Sequence, residues 1–131
     1  MRAYQGLPKT DNPKVVYTGP LNDEQKSPFY SRARAFLMPI EWEEPFGLVM
    51  IEAMASGTPV VAYNRGSIPE IVVNGETGYI VENIDQMIDG VDKAISGSIS
   101  SKACREHVVR NFSKEKMTEM YLEVYEEIRG K

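Results

Sequence analysis

Four short apolar runs, each closed by turn-forming residues, alternate along the chain with stretches whose apolar residues recur at helical spacing. Val15-Val16-Tyr17-Thr18, ended by Gly19-Pro20, reads as a buried parallel strand and its exit turn, and Ala35-Phe36-Leu37-Met38, ended by Pro39, as a second. Val60-Val61-Ala62-Tyr63 and Tyr79-Ile80-Val81 complete the set, the last preceded by the turn pairs Asn74-Gly75 and Thr77-Gly78. Asn22 or Asp23 caps a helix after the first strand, with Pro28 near its start or interrupting it. Leu48 to Met54 is apolar on nearly every face, which predicts a helix buried all round; Pro45 suits its first position and Gly57 the residue just past its last turn. A short helix is expected over residues 68–73. Ile84, Ile88, Val91 and Ile95 then give one apolar stripe, which Gly97 and the serines around it break. After Ser113, a good N-cap, Met117, Met120, Tyr121, Val124, Tyr125 and Ile128 give another stripe, whose methionines are assigned to the core. Strands alternating with helices imply an α/β fold: a Rossmann-like parallel sheet flanked by helices, with right-handed crossovers. Residues 1–14 read as loop or a frayed end, 15–95 as the βα core and 100–131 as C-terminal helices.

At 131 residues the chain holds one core and not two. Nineteen acidic residues against fifteen basic leave it mildly negative, and no Lys/Arg cluster is long enough to take nucleic acid or an anionic membrane. The single cysteine, Cys104, excludes an internal disulfide and a Cys-based zinc site, and fits a reducing cytoplasm. The sole histidine, His107, sits in a polar helical stretch and reads as a surface residue. No apolar run approaches the ~18 residues that span a bilayer, and no signal-like segment opens the chain, so any membrane contact is expected to be peripheral.

The chemistry concentrates between two carboxylates, Glu44 and Glu52, with Pro45-Phe46-Gly47 and the apolar helix between them. A carboxylate within such a helix is costly to bury unless it accepts hydrogen bonds, so a hydroxyl-bearing partner would account for Glu52. The backbone N–H groups of Phe46, Gly47 and Leu48 at the helix start make an anion site suited to a diphosphate, and Gly47 has no side chain to hold an anion away. Glu44, beside that anion, suits the neutral hydroxyls of whatever the diphosphate carries. The bland alternative for each glutamate alone is a helix-dipole partner or a side chain reaching solvent or a lysine.

From Glu44-Pro45-Phe46-Gly47 to Glu52-Ala53-Met54-Ala55-Ser56-Gly57-Thr58-Pro59-Val60-Val61-Ala62, the sequence resembles the E-x7-E signature of the retaining group 1 glycosyltransferases, which have two Rossmann-like domains (the GT-B fold). The resemblance implies that the chain is an incomplete C-terminal, donor-binding half of that fold. Its donor would be a UDP-, GDP- or ADP-sugar, with no cofactor and no metal. It implies that Glu44 contacts the donor hexose at the reacting centre, that Glu52 holds the ribose hydroxyls, and that the amides from Phe46 through Gly47 and Leu48 to Val49 take the diphosphate. The loop after the first strand lies against the base in that family, which puts Leu21 and Asp23 there; Leu21 is either an apolar contact to the base or a staple for the helix start. Gly66-Ser67-Ile68-Pro69-Glu70 resembles the family's Gly-Gly-x-Pro-Glu segment lining the donor site, with Ser67 in place of the second glycine. Arg65 either assists a phosphate or, as the commoner case, faces solvent. Trp42, the only tryptophan, shapes a sugar pocket or packs against a helix, with packing slightly favoured.

The resemblance spans about residues 15–129 and omits an earlier strand and helix that carry an Arg and a Lys for the diphosphate, as well as the acceptor domain. The chain is therefore expected to be a fragment, a truncated frame or one piece of a split pair, partnered by an acceptor domain or second chain, weak in donor binding and inactive alone. Self-association through exposed apolar surface is a further expectation. A non-catalytic interaction module keeps the fold without the chemistry. A sugar-nucleotide epimerase is disfavoured by the Glu-Pro-Phe-Gly continuation and the position of His107, and an NAD-binding domain by the absence of G-x-G-x-x-G after any strand.

Overall fold

A computed structural model describes residues 10–130. Its elements run α1 (Asp23–Arg32), β1 (Phe36–Met38), α2 (Leu48–Ala55), β2 (Val60–Tyr63), α3 (Ile68–Ile71), β3 (Gly78–Val81), α4 (Ile84–Ile95), α5 (Ser101–Phe112) and α6 (Lys114–Arg129). The sheet is parallel throughout, in the order β1-β2-β3, with Phe36 opposite Val60 and Val60 opposite Gly78. Because side chains alternate across a strand, Val60 and Ala62 of the central strand point to one layer and Val61 to the other. The first layer is the larger: α1, α2, α3 and α5 bring Tyr30, Met50, Met54, Ile68, Ile71 and Cys104 together. The second is α4 alone, laid on β2 and β3 through Met87 and Ala94.

The helix starts follow local chemistry. Asn22 caps α1 in a reciprocal capping box with Gln25, and Asn83, Ser100 and Ser113 cap α4, α5 and α6 through side-chain acceptors. Pro28 lies inside α1, where it removes one backbone bond without ending the helix.

Five expectations are corrected. Val15 to Thr18 forms no strand: Val15, Val16 and Tyr17 stand 57%, 76% and 73% exposed. Strand propensity measures fit to a half-buried pleated surface, and no neighbouring strand offers one here. Helix α2 is not buried all round, since Leu48 and Val49 at its first turn are exposed while Met50, Ala53 and Met54 are buried. On α4 the buried face is Met87, Gly90 and Ala94, while Ile84, Ile88 and Ile95 face outward; the small residues let the helix approach the sheet more closely than the isoleucine face would. The α6 methionines are not core, because no residue of that helix is buried. His107 is not simply a surface residue: its Nε2 lies 2.8 Å from the Ile71 carbonyl, tying α5 to α3, and its ring meets Phe112 edge-on. The loop expected over residues 1–14 is met at 10–14, and its first nine residues lie outside the described ones.

Burial of Cys104 pushes its thiol up from an ordinary 9.0 to about 11. The sign follows from linkage: the unfolded thiol ionises first, so the folded state's preference for the protonated form is intact below pH 9 and is lost as pH rises toward about 11. Urea melts of the wild type and Cys104→Ala should therefore show the wild type losing ground to the variant between pH 9 and about 11. A difference independent of pH would contradict this.

Candidate functional site

In open parallel sheets, ligands bind beyond the carboxyl ends of the strands. The segment leaving β1, residues 39–47, and the segment leaving β2, residues 64–67, meet there and are fastened together. The Ser67 amide donates to the Glu44 carbonyl at 2.8 Å, and the Ser67 hydroxyl donates to the Phe46 carbonyl at 2.9 Å. The Gly66 amide donates to the Glu43 carboxylate. Gly66 itself has φ +53°, and a Cβ placed on it would lie 2.3 Å from the Glu44 carbonyl oxygen. Only a glycine lets these two backbones lie so close. Ser67, buried and hydrogen-bonded on both sides, is thus a clasp on the loop that carries Glu44.

The chain enters α2 through Gly47, a left-handed N-cap with φ 80° and ψ 52° and no side-chain capping bond. The helix therefore begins three residues after Pro45, which stands outside it. Of the first amides, Met50 donates to the Gly47 carbonyl at 3.0 Å and Phe46 to its neighbour Glu44 Oε1 at 3.4 Å. Those of Gly47, Leu48 and Val49 donate to no acceptor among the described residues. The open amides are thus Gly47 to Val49; Phe46, expected to be free, faces the Glu44 carboxylate. Aligned peptide dipoles add partial positive charge at this end, so the three amides form a seat for an anion.

Both carboxylates are held. Glu44 is half-buried, with Oε1 toward the Phe46 amide and Oε2 3.4 Å from the indole nitrogen of Trp42. Trp42 itself is exposed, not packed on a helix. Glu52, whose side chain is 36% exposed, accepts from Lys26 Nζ at 3.2 Å and lies 3.5 Å from the Tyr30 hydroxyl. The deep burial expected for Glu52 is absent, and its partners are a lysine and a phenol. Lys26 is shared with Asp23 at 3.1 Å, and these hydrogen bonds to Asp23 and then Glu52 raise its pKa. Burial, followed by the charge of Glu52, raises that of Tyr30, so the phenol stays protonated and able to donate.

These side chains edge an open cavity of about 340 Å³ lined by Asp23, Lys26, Tyr30, Glu52 and Ser56. Of the positions singled out in the sequence, the fold brings Asp23 to Glu52, and Gly66 and Ser67 to Glu44. It places Leu21 elsewhere, in a depression lined by Pro28, Phe29 and Arg32. Arg65 turns back to its neighbour's carbonyl at 2.8 Å and toward Glu82 at 3.9 Å. A larger apolar cavity of about 530 Å³ lies between the start of α2 and α6, lined by Phe46, Leu48, Phe112, Met117 and Tyr121. Sequence reasoning missed Lys26 and Tyr30. Their signal was available: four residues apart in a helix capped by Asn22, they share a face. Among the described residues no cluster of His, Cys, Asp and Glu is arranged to hold a metal ion, and no helix is long and apolar enough to cross a membrane.

Comparisons with known proteins place this geometry in context. Residues 9–111 match the family model described as glycosyl transferases group 1. The chain is 33% identical over 121 residues to an uncharacterized 41.2 kDa protein in the cps region of Klebsiella pneumoniae, covering 89% of this chain and 34% of that one. It is 34% identical over 107 residues to spore coat protein SA of Bacillus subtilis, covering 76% and 28%. Among solved structures, AviGT4, a glycosyltransferase involved in avilamycin A biosynthesis, superposes with a TM-score of 0.67 at 28% identity, covering 82% of this chain and 34% of that one. The chain thus spans 34% and 28% of the length of these two curated relatives.

Proposed function

The chain belongs to the group 1 glycosyl transferases and has part of their GT-B fold; from that premise we propose that it binds a nucleoside-diphosphate sugar at the start of α2. The observation that carries this reading is the set of unpartnered amides at Gly47, Leu48 and Val49, with a carboxylate held at each end of the segment. In this reading the amides of Phe46 to Val49 take the diphosphate, Phe46 exchanging its contact with Glu44 for the ligand. Glu52 accepts from the ribose hydroxyls and Glu44 from the donor hexose. Asp23 lines the ribose end, and Gly66 and Ser67 hold Glu44 in place; Leu21 would meet the base only if the base extended from that cavity past the start of α1 into the separate depression. No metal is assigned, because amides fixed at a helix end stabilise charge developing on a leaving diphosphate without reorganising.

Transfer with retained configuration needs a bound acceptor, and that role is assigned to a second domain or partner chain. The exposed apolar face of α6 supports such a neighbour, with Met117, Tyr121, Val124 and Ile128 on one side of the helix. The chain alone is expected to bind donor weakly and to transfer nothing. The same exposed face favours, as a second reading, an interaction module without catalysis.

Calorimetry with UDP-, GDP- and ADP-sugars on the wild type and Glu52→Ala tests the proposal. Losing hydrogen bonds to a charged acceptor costs about 1.5–3 kcal/mol, so the variant should bind more than about tenfold more weakly. Equal heats would remove the ribose role from Glu52. No heat from any of the three donors, with a dimer in sedimentation, would favour the second reading.

A further inference from the structure

Trp42 is unused by the reading above. It is the only tryptophan in the chain, and it stands 63% exposed on the loop between β1 and α2. So large an amphipathic ring left mostly in water asks for a partner. The loop beneath it is not loose, since the Gly66 and Ser67 bonds fasten Glu43, Glu44 and Phe46 to the start of α3. The indole N–H donates to Glu44 Oε2 at 3.4 Å, and the other oxygen of that carboxylate meets the Phe46 amide. An aromatic face, a carboxylate and a row of helix amides therefore follow one another along residues 42–49.

Charge decides what fits the ring. Glu41 and Glu43 flank it in the sequence and Glu44 accepts from its indole, so an anion is repelled there, and a purely apolar guest would leave the carboxylates without donors. Glu43 is engaged by the Gly66 amide; each Glu44 oxygen carries one bond, to Trp42 or to Phe46, and keeps a second lone pair, so Glu44 is the acceptor beside the ring. These charges would also suit a cation; under the donor-site reading the guest beside Glu44 is the neutral sugar, which needs an apolar face for the indole and hydroxyls around its rim. A pyranose ring has that form: one face of C–H groups and a girdle of O–H donors. We propose that Trp42 is a stacking platform for a neutral pyranose, set in position by its indole bond to Glu44. This deepens the donor-site reading and rests on it. The pyranose comes either from the donor or from an acceptor saccharide, and the ligands below separate the two.

A sole tryptophan reports on itself. Its emission is followed while the full chain is titrated with UDP, GDP and ADP, with UDP-glucose, GDP-mannose and ADP-glucose, and with maltose, alongside calorimetry of the same mixtures. The expected result is an emission change with a sugar nucleotide and none with the matching plain nucleotide, which identifies the donor as the source. A change with maltose identifies an acceptor as the source and equally supports the platform. In Trp42→Ala, plain nucleotides should bind as in the wild type, while the sugar-bearing ligand weakens about fivefold or more. Trp42→Phe, which keeps a ring, should retain most of that affinity. Sugar nucleotides that give heat without changing the emission, or equal losses in the Ala and Phe variants, overturn the platform and leave the donor site standing. No heat from any nucleotide overturns both.

Discussion

Replacing Gly66 by alanine should release the Glu43–Phe46 loop from α3 and remove nucleotide binding with it. Two costs act together. A left-handed backbone at φ +53° costs a residue with a Cβ about 1–2 kcal/mol. The new methyl would also sit 2.3 Å and 2.5 Å from the carbonyl oxygen and amide nitrogen of Glu44. Those neighbours are backbone atoms and cannot swing aside as a flexible side chain would. Overpacking of this kind costs about 1–3 kcal/mol, so the docked loop loses about 2–5 kcal/mol in all. The Ser67 bonds to Glu44 and Phe46 then break, since both depend on the close approach. The checks are amide exchange at Ser67, which should accelerate, and nucleotide calorimetry, which should fall below detection. A variant that keeps wild-type exchange at Ser67 would show that the loop tolerates the methyl and that the close approach is not required.

Met54→Ala should strongly destabilise the core. Met54 is fully buried in α2 among the residues that join that helix to α1 and α5. Shortening a buried methionine to alanine costs about 2–5 kcal/mol through lost transfer energy and the cavity left behind. A domain of this size commands only about 5–15 kcal/mol, so the urea midpoint should drop sharply with an unchanged slope. Met120→Ala is the control. Met120 lies on α6, 53% exposed, and its truncation should stay within about 0.5 kcal/mol of wild type. The two methionines are alike in a one-dimensional pattern, so equal midpoints for the two variants would mean that α6 is packed against something in solution.

That pair of methionines shows where reading the chain succeeds and where it stops. The three strands found among the described residues, their parallel arrangement and the helices between them follow from short β-branched runs, capping residues and turn pairs. The same local rules located the loop-to-helix segment from Glu44 to Glu52, whereas Gly66-Ser67 stands out only through its resemblance to a family motif, and its meeting with the Glu44 loop belongs to the structure. They also supplied a fourth strand at Val15 that has no neighbour, and they turned α4 by roughly a quarter turn, to the isoleucines and away from Met87 and Ala94. Periodicity reports that a helix has an apolar side. Which side is buried depends on the surface it meets, and the sheet accepted the side with the smaller residues.

By itself the sequence determined the parallel βα order, the caps, and the placing of a glycine at each point where backbone had to bend or approach backbone. These depend on dihedral preferences and hydrogen bonds within a few residues, and those are written locally. Only the tertiary structure decided that Lys26 and Tyr30 hold Glu52, that Glu43 and Ser67 clasp the loop under Glu44, and that α6 leaves its apolar side bare. Each of these is a meeting of residues distant in the chain or a surface left without one, and such outcomes are set by packing geometry that no local pattern encodes.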